Sequence, residues 1–111
     1  MSRKKDKGRL PPFIALIRDT VNAPAFKMLT FGARALFTVL VGQFYNNNGR
    51  FYLSQRKAGE MLGHKDRNDI ANWFRELVHY GFIVQTSGAS LGIEGKGKAP
   101  HWRLTDRPTR N

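Results

Sequence analysis

Cysteine is absent from the 111 residues, which excludes a disulfide framework, a thiol nucleophile and any thiolate metal site. Acidic residues are scarce. Eight Asp and Glu stand against nineteen Lys and Arg, a net charge of +11 that favours an anionic partner. Long apolar runs are missing too, because Arg, Lys or Gly interrupts each one before it could span a bilayer. The opening SRKKDKGRL has no apolar signal-peptide core behind it. These absences predict a soluble, cytoplasmic protein with no membrane partner. His64, His79 and His101 are scattered, with no partner at metal-ligand spacing. Nor is there a nucleophile elbow, a paired-carboxylate motif or a dinucleotide fingerprint. The chain is therefore expected to be no enzyme, and to use no metal, cofactor or small-molecule ligand.

Apolar residues make up 41% and aromatics 12%, enough to fold one small domain around a single core. The charge is unevenly spread. Residues 1–9 hold five basic side chains against one acid, a net +4, and residues 105–111 hold two against one, a net +1. The stretch 10–104 still carries twelve against six, a net +6, so the body itself is basic. The expected organisation is a flexible basic arm over 1–11, a folded domain over 12–104 and a loose tail over 105–111.

Within the domain, Phe13, Ile14, Leu16, Ile17 and Val21 recur at helical spacing, predicting an amphipathic helix from Pro12. Thr30 is a good N-cap for a helix over 31–45, with Leu36, Val39, Leu40 and Phe44 on one face and Phe37 and Val41 widening it. The loop Asn46-Asn47-Asn48-Gly49 ends it, and RFYL after it reads as a short strand. Ser54 caps a helix whose apolar residues are Ala58, Met61 and Leu62, closed by Gly63. Asp66 opens the next, with Asp69 in a capping-box-like position and Ile70, Trp73, Phe74, Leu77 and Val78 as its buried stripe. Gly81 stops it. A strand over 82–86, a glycine-rich loop over 87–98 and a returning strand over 99–104 complete the domain. Trp73 and Trp102 read as core residues, and one of Phe51 and Tyr52 should be buried.

The lead-in NAPAFKMLTFGARALFTVL, the segment NNNGRFYLSQRKAGEMLG and the run KDRNDIANWFRELVHYGFI together resemble the winged helix–turn–helix superfamily. The resemblance is particularly to small regulators and replication-initiator DNA-binding domains of phages and plasmids. The resemblance covers residues 22–104 and rests on caps, glycines and apolar spacing. It implies a mainly α fold with a small β-wing (α+β), DNA binding, and with it a nucleoid-associated protein.

If the apolar stripe of the helix opening at Asp66 faces inward, Arg67, Asn68, Ala71, Asn72 and Arg75 lie outward. Such a helix start can enter the major groove of double-stranded DNA, Arg67 pairing with guanine and Asn68 or Asn72 with adenine. Ser54, Gln55, Arg56 and Lys57, with Lys65 and Arg75, are placed for phosphate. Lys96, Lys98 and Arg103 would serve a wing, or belong to an ordinary hairpin. Arg3, Lys4 and Lys5 would lie along DNA, or merely aid solubility. One reading helix covers only a short half-site, so a homodimer would extend it; residues 13–21 are either its surface or a face packed on the domain. The expected role is transcriptional regulation. Replication or partition of a mobile element, a protein-binding inhibitor module, and RNA recognition by shape are the other readings.

Overall fold

Two single-turn helices, α1 (Arg18–Val21) and α2 (Pro24–Lys27), lead into the thirteen-residue α3 (Phe31–Gln43). They are followed by β1 (Phe51–Tyr52), α4 (Gln55–Leu62), α5 (Arg67–His79), β2 (Ile83–Ser87) and β3 (His101–Leu104). The computed structural model describes residues 10–43, 51–87 and 100–107. Outside them lie the arm residues Arg3, Lys4 and Lys5, the asparagine loop and the glycine-rich loop bearing Lys96 and Lys98. The described residues are mainly helical with a small antiparallel sheet, an α+β arrangement. Strand order is β1-β3-β2, with Tyr52 opposite His101 and Ile83 opposite Leu104.

The core forms where α3, α5 and the inner face of the sheet meet. Ala33, Leu36, Phe37, Leu40 and Val41 of α3 pack with Ile70, Phe74 and Leu77 of α5, and with Ile83, Trp102 and Leu104 of the sheet. Phe26, Phe37 and Phe82 meet edge to face with centroids 5.6 to 5.9 Å apart, the arrangement aromatic quadrupoles favour. Trp102 stacks on Phe74 at 5.1 Å, and its indole N–H donates to the Leu53 carbonyl at 3.2 Å. Trp73 is only half-buried.

The helix starts follow their caps. Thr30 Oγ1 accepts from the Ala33 amide at 3.2 Å, and the Glu76 carboxylate of α5 accepts both the Thr30 amide and its hydroxyl at 2.8 Å. The start of α3 is thus tied to the last turn of α5. Ser54 Oγ accepts from the Lys57 amide, and Asp66 accepts from the amides of Asn68 and Asp69. Gly63 ends α4 with φ 69°, the left-handed conformation that an L side chain resists.

The expected helix from Pro12 is not there. Residues 10–17 have no regular secondary structure, and only the turn Arg18–Val21 is helical. Ile17 is extended (φ −78°, ψ 127°) and separates residues 12–16 from the turn that follows, and a run that short forms a helix only where packing supports it. Two members of the expected apolar stripes also point outward, Met61 and Val78, each 46% exposed. The buried faces of α4 and α5 are narrower than the apolar pattern, centring on Ala58 and Gly59 and on Ile70, Phe74 and Leu77. At the far end, Thr105, Asp106 and Arg107 are not loose. The Thr105 amide donates to the Phe82 carbonyl at 3.1 Å. Asp106 accepts from the Thr20 hydroxyl at 2.7 Å and pairs with Arg107 at 3.1 Å, and Arg107 donates to the Ala15 carbonyl.

Candidate nucleic-acid interface

The α4–turn–α5 corner holds most of the nominated side chains among the described residues. Burial of Ile70, Phe74 and Leu77 fixes the rotation of α5. At about 100° per residue, Asn68, Asn72 and Arg75 then fall on the side opposite that stripe. All three are exposed. Arg75 Nη1 donates to Asn72 Oδ1, so the two act as one hydrogen-bonded pair.

Arg67 does not share that flank. As the first residue of α5 it is rotated about 60° from Ile70, not opposite it, and it is exposed because it precedes the packed part of the helix. It lines a groove of about 430 Å³ with Gln55, Arg56, Gly59 and Glu60 of α4, Gly63, His64 and Lys65 of the turn, and Ile70. Arg56, Lys65 and Arg67 are its cations and Glu60 its carboxylate. The nominated residues therefore split into a groove set (Gln55, Arg56, Lys65, Arg67) and a flank set (Asn68, Asn72, Arg75).

Several nominated groups already have partners. The Ser54 hydroxyl and the Lys57 amide satisfy each other at 3.0 Å, so that hydroxyl is spent on the cap. Asp66 takes two amides at the start of α5, which leaves the holding of an anion there mainly to side chains. Arg56 and Lys57 lie 3.6 and 3.8 Å from Glu60, and all three are exposed, so these pairs are weak and readily exchanged. Arg103 is half-buried on β3, opposite Val84, and does not line the groove.

Two groove residues were not anticipated. His64 Nε2 lies 2.8 Å from Asp69 Oδ2, and its ring rests on Trp73 at 4.8 Å. This contact braces the turn against α5 and gives Asp69 a partner other than the expected capping box. The spacing that brings it about was legible, since Asp69 and Trp73 are four apart and share a helix face. Glu60 was equally legible, four residues after Arg56 and three after Lys57.

Among the described residues no three His, Cys, Asp or Glu side chains come together to hold a metal ion, and no helix is long and apolar enough to cross a membrane. No protein-family model, curated protein or solved structure matches the chain.

Proposed function

We propose that the protein is a winged helix–turn–helix that binds double-stranded DNA in a sequence-specific way and regulates transcription. The observation that carries this reading is the α4–turn–α5 corner: an inward apolar stripe leaves Asn68, Asn72 and Arg75 in solvent beside a groove rimmed by Arg56, Lys65 and Arg67. The order α3, β1, α4, α5, β2, β3 supports the winged-helix assignment. The net charge of +11 supplies the long-range attraction to phosphates.

In this reading α5 enters the major groove by its first two turns. Asn68 and Asn72 meet adenine edges, and Arg67 reaches guanine from the groove side, each good pair contributing about 1–3 kcal/mol of discrimination. Arg56 and Lys65 hold the backbone and set the register. Asn72 Oδ1 has a second lone pair for adenine N6 while Arg75 still donates to it, and the amide nitrogen can donate to N7.

Selection of bound duplexes from a random pool, followed by titration in salt, tests the reading. One duplex sequence should be preferred over random duplex by about a thousandfold or more, and affinity should fall steeply as salt rises. Equal affinity for all duplexes refutes sequence-specific regulation. No duplex binding at low salt refutes DNA binding altogether and leaves a protein partner for the same face.

A further inference from the structure

Residues 10–17 (LPPFIALI) form an uncharged strap that the fold holds in place without covering. The holding is polar. Arg107 donates to the Ala15 carbonyl, and Asp106 links Arg107 to the Thr20 hydroxyl. Toward the C-terminal end of α3, Ile14 approaches Gly42. The large side chains nevertheless face out: Leu10 is 75% exposed, Phe13 72%, Leu16 45% and Ile14 44%. Scattered apolar residues on a surface need no explanation, but four large ones exposed within seven consecutive positions are a concentration of the kind that marks an interface.

We propose that this strap is a self-association surface and that its occupant is the strap of a second copy of this chain, in a two-fold pairing. Three observations select that partner. The strap carries no charge, so two copies can meet without burying like charges, although each chain carries +11. It is apolar along its length, and a two-fold interface requires a patch that complements itself. The four side chains expose on the order of 500 Å² per copy, more than half of the roughly 800 Å² that each partner gives to a standard interface. The pairing does not depend on what α5 touches.

Its electrostatics give it a signature. Two chains of +11 repel, and added salt screens that repulsion while leaving apolar burial intact. Self-association should therefore tighten as salt rises, opposite in sign to the DNA binding proposed above.

Sedimentation equilibrium of the full chain, up to about 200 µM and at about 0.1 and 0.5 M salt, tests this. A dimer is expected, tighter at the higher salt. Phe13→Asp should weaken it at least about tenfold without lowering the melting temperature at concentrations where both chains are monomeric. Phe31→Asp, which alters an 81% exposed side chain at the opposite end of α3, should leave it unchanged. A chain that stays monomeric throughout overturns the proposal. So does a dimer indifferent to both Phe13→Asp and Leu16→Asp, or one that loosens as salt rises. Co-sedimentation of a monomeric chain with anionic phospholipid vesicles, lost in Phe13→Asp, would overturn it in favour of a lipid surface.

Discussion

Gly32 offers the sharpest test of how α5 is seated. A Cβ built on Gly32 would lie 1.9 Å from Cε2 and 2.1 Å from Cζ2 of Trp73. No carbon atom fits there, so Gly32→Ala must displace the indole, which is half-buried and also carries the His64 ring at 4.8 Å. Overpacking of this kind costs about 1–3 kcal/mol. Against it, alanine in place of glycine near a helix start returns up to about 1 kcal/mol of propensity. The net expectation for Gly32→Ala is a loss of about 1–2 kcal/mol. Trp73→Leu removes the obstacle, and in that background the same substitution should be neutral or stabilising by up to about 1 kcal/mol. Urea denaturation of the four proteins closes a double-mutant cycle with a coupling of about 2 kcal/mol. Tryptophan emission of native Gly32→Ala should also shift to the red as Trp73 moves into water, while the buried Trp102 stays where it is. Equal effects of Gly32→Ala in both backgrounds would refute the close approach of α3 and α5.

The remaining expectations concern the caps and the proposed reading face. Glu76→Ala removes both acceptors from Thr30 and should cost about 1–1.5 kcal/mol in urea denaturation; combined with Thr30→Ala, the two losses should be less than additive. Asp66→Ala should cost about 1–2 kcal/mol and speed hydrogen exchange at the amides of Asn68 and Asp69, with those of the α3 core unaffected. In duplex selection, Arg67→Ala and Asn72→Ala should each relax preference at their own base position. Lys65→Ala should instead weaken all duplexes alike and lower the salt slope by about one unit, as measured by anisotropy.

What the sequence discloses about this fold depends on how far along the chain the partners lie. The caps at Thr30, Ser54 and Asp66 and the left-handed Gly63 are legible because each signal lies within about four residues of what it acts on. The apolar stripe of α5 is legible in position but not in width. Periodicity marks which side is apolar, whereas the breadth of the covering surface decides that Phe74 is buried and Val78 is not. Residues 10–17 show the limit more plainly. Their spacing suits a helix, yet the contacts that settle them come from Arg107, 92 residues away from Ala15, and no local pattern encodes such a pair. The groove is intermediate. Its cations were each nominated singly, but their convergence depends on the angle between α4 and α5, which the turn at Gly63, His64 and Lys65 sets.

That convergence changes how the corner would engage a duplex. With Arg67 on the outer flank, every nominated reading residue would bear on bases from one line along α5. With Arg67 in the groove beside Arg56 and Lys65, three cations gather on the α4 side while the amides of Asn68 and Asn72 face away from them. Arg56 and Lys65 would then hold a backbone strand at the groove, Arg67 would reach a base edge from that side, and the asparagine flank would meet base edges from the other. Glu60 does not spoil the arrangement. Its pairs with Arg56 and Lys57 are longer than 3.5 Å and exposed, so breaking them costs at most about 1 kcal/mol, less than the counterion release that each phosphate contact brings at low salt.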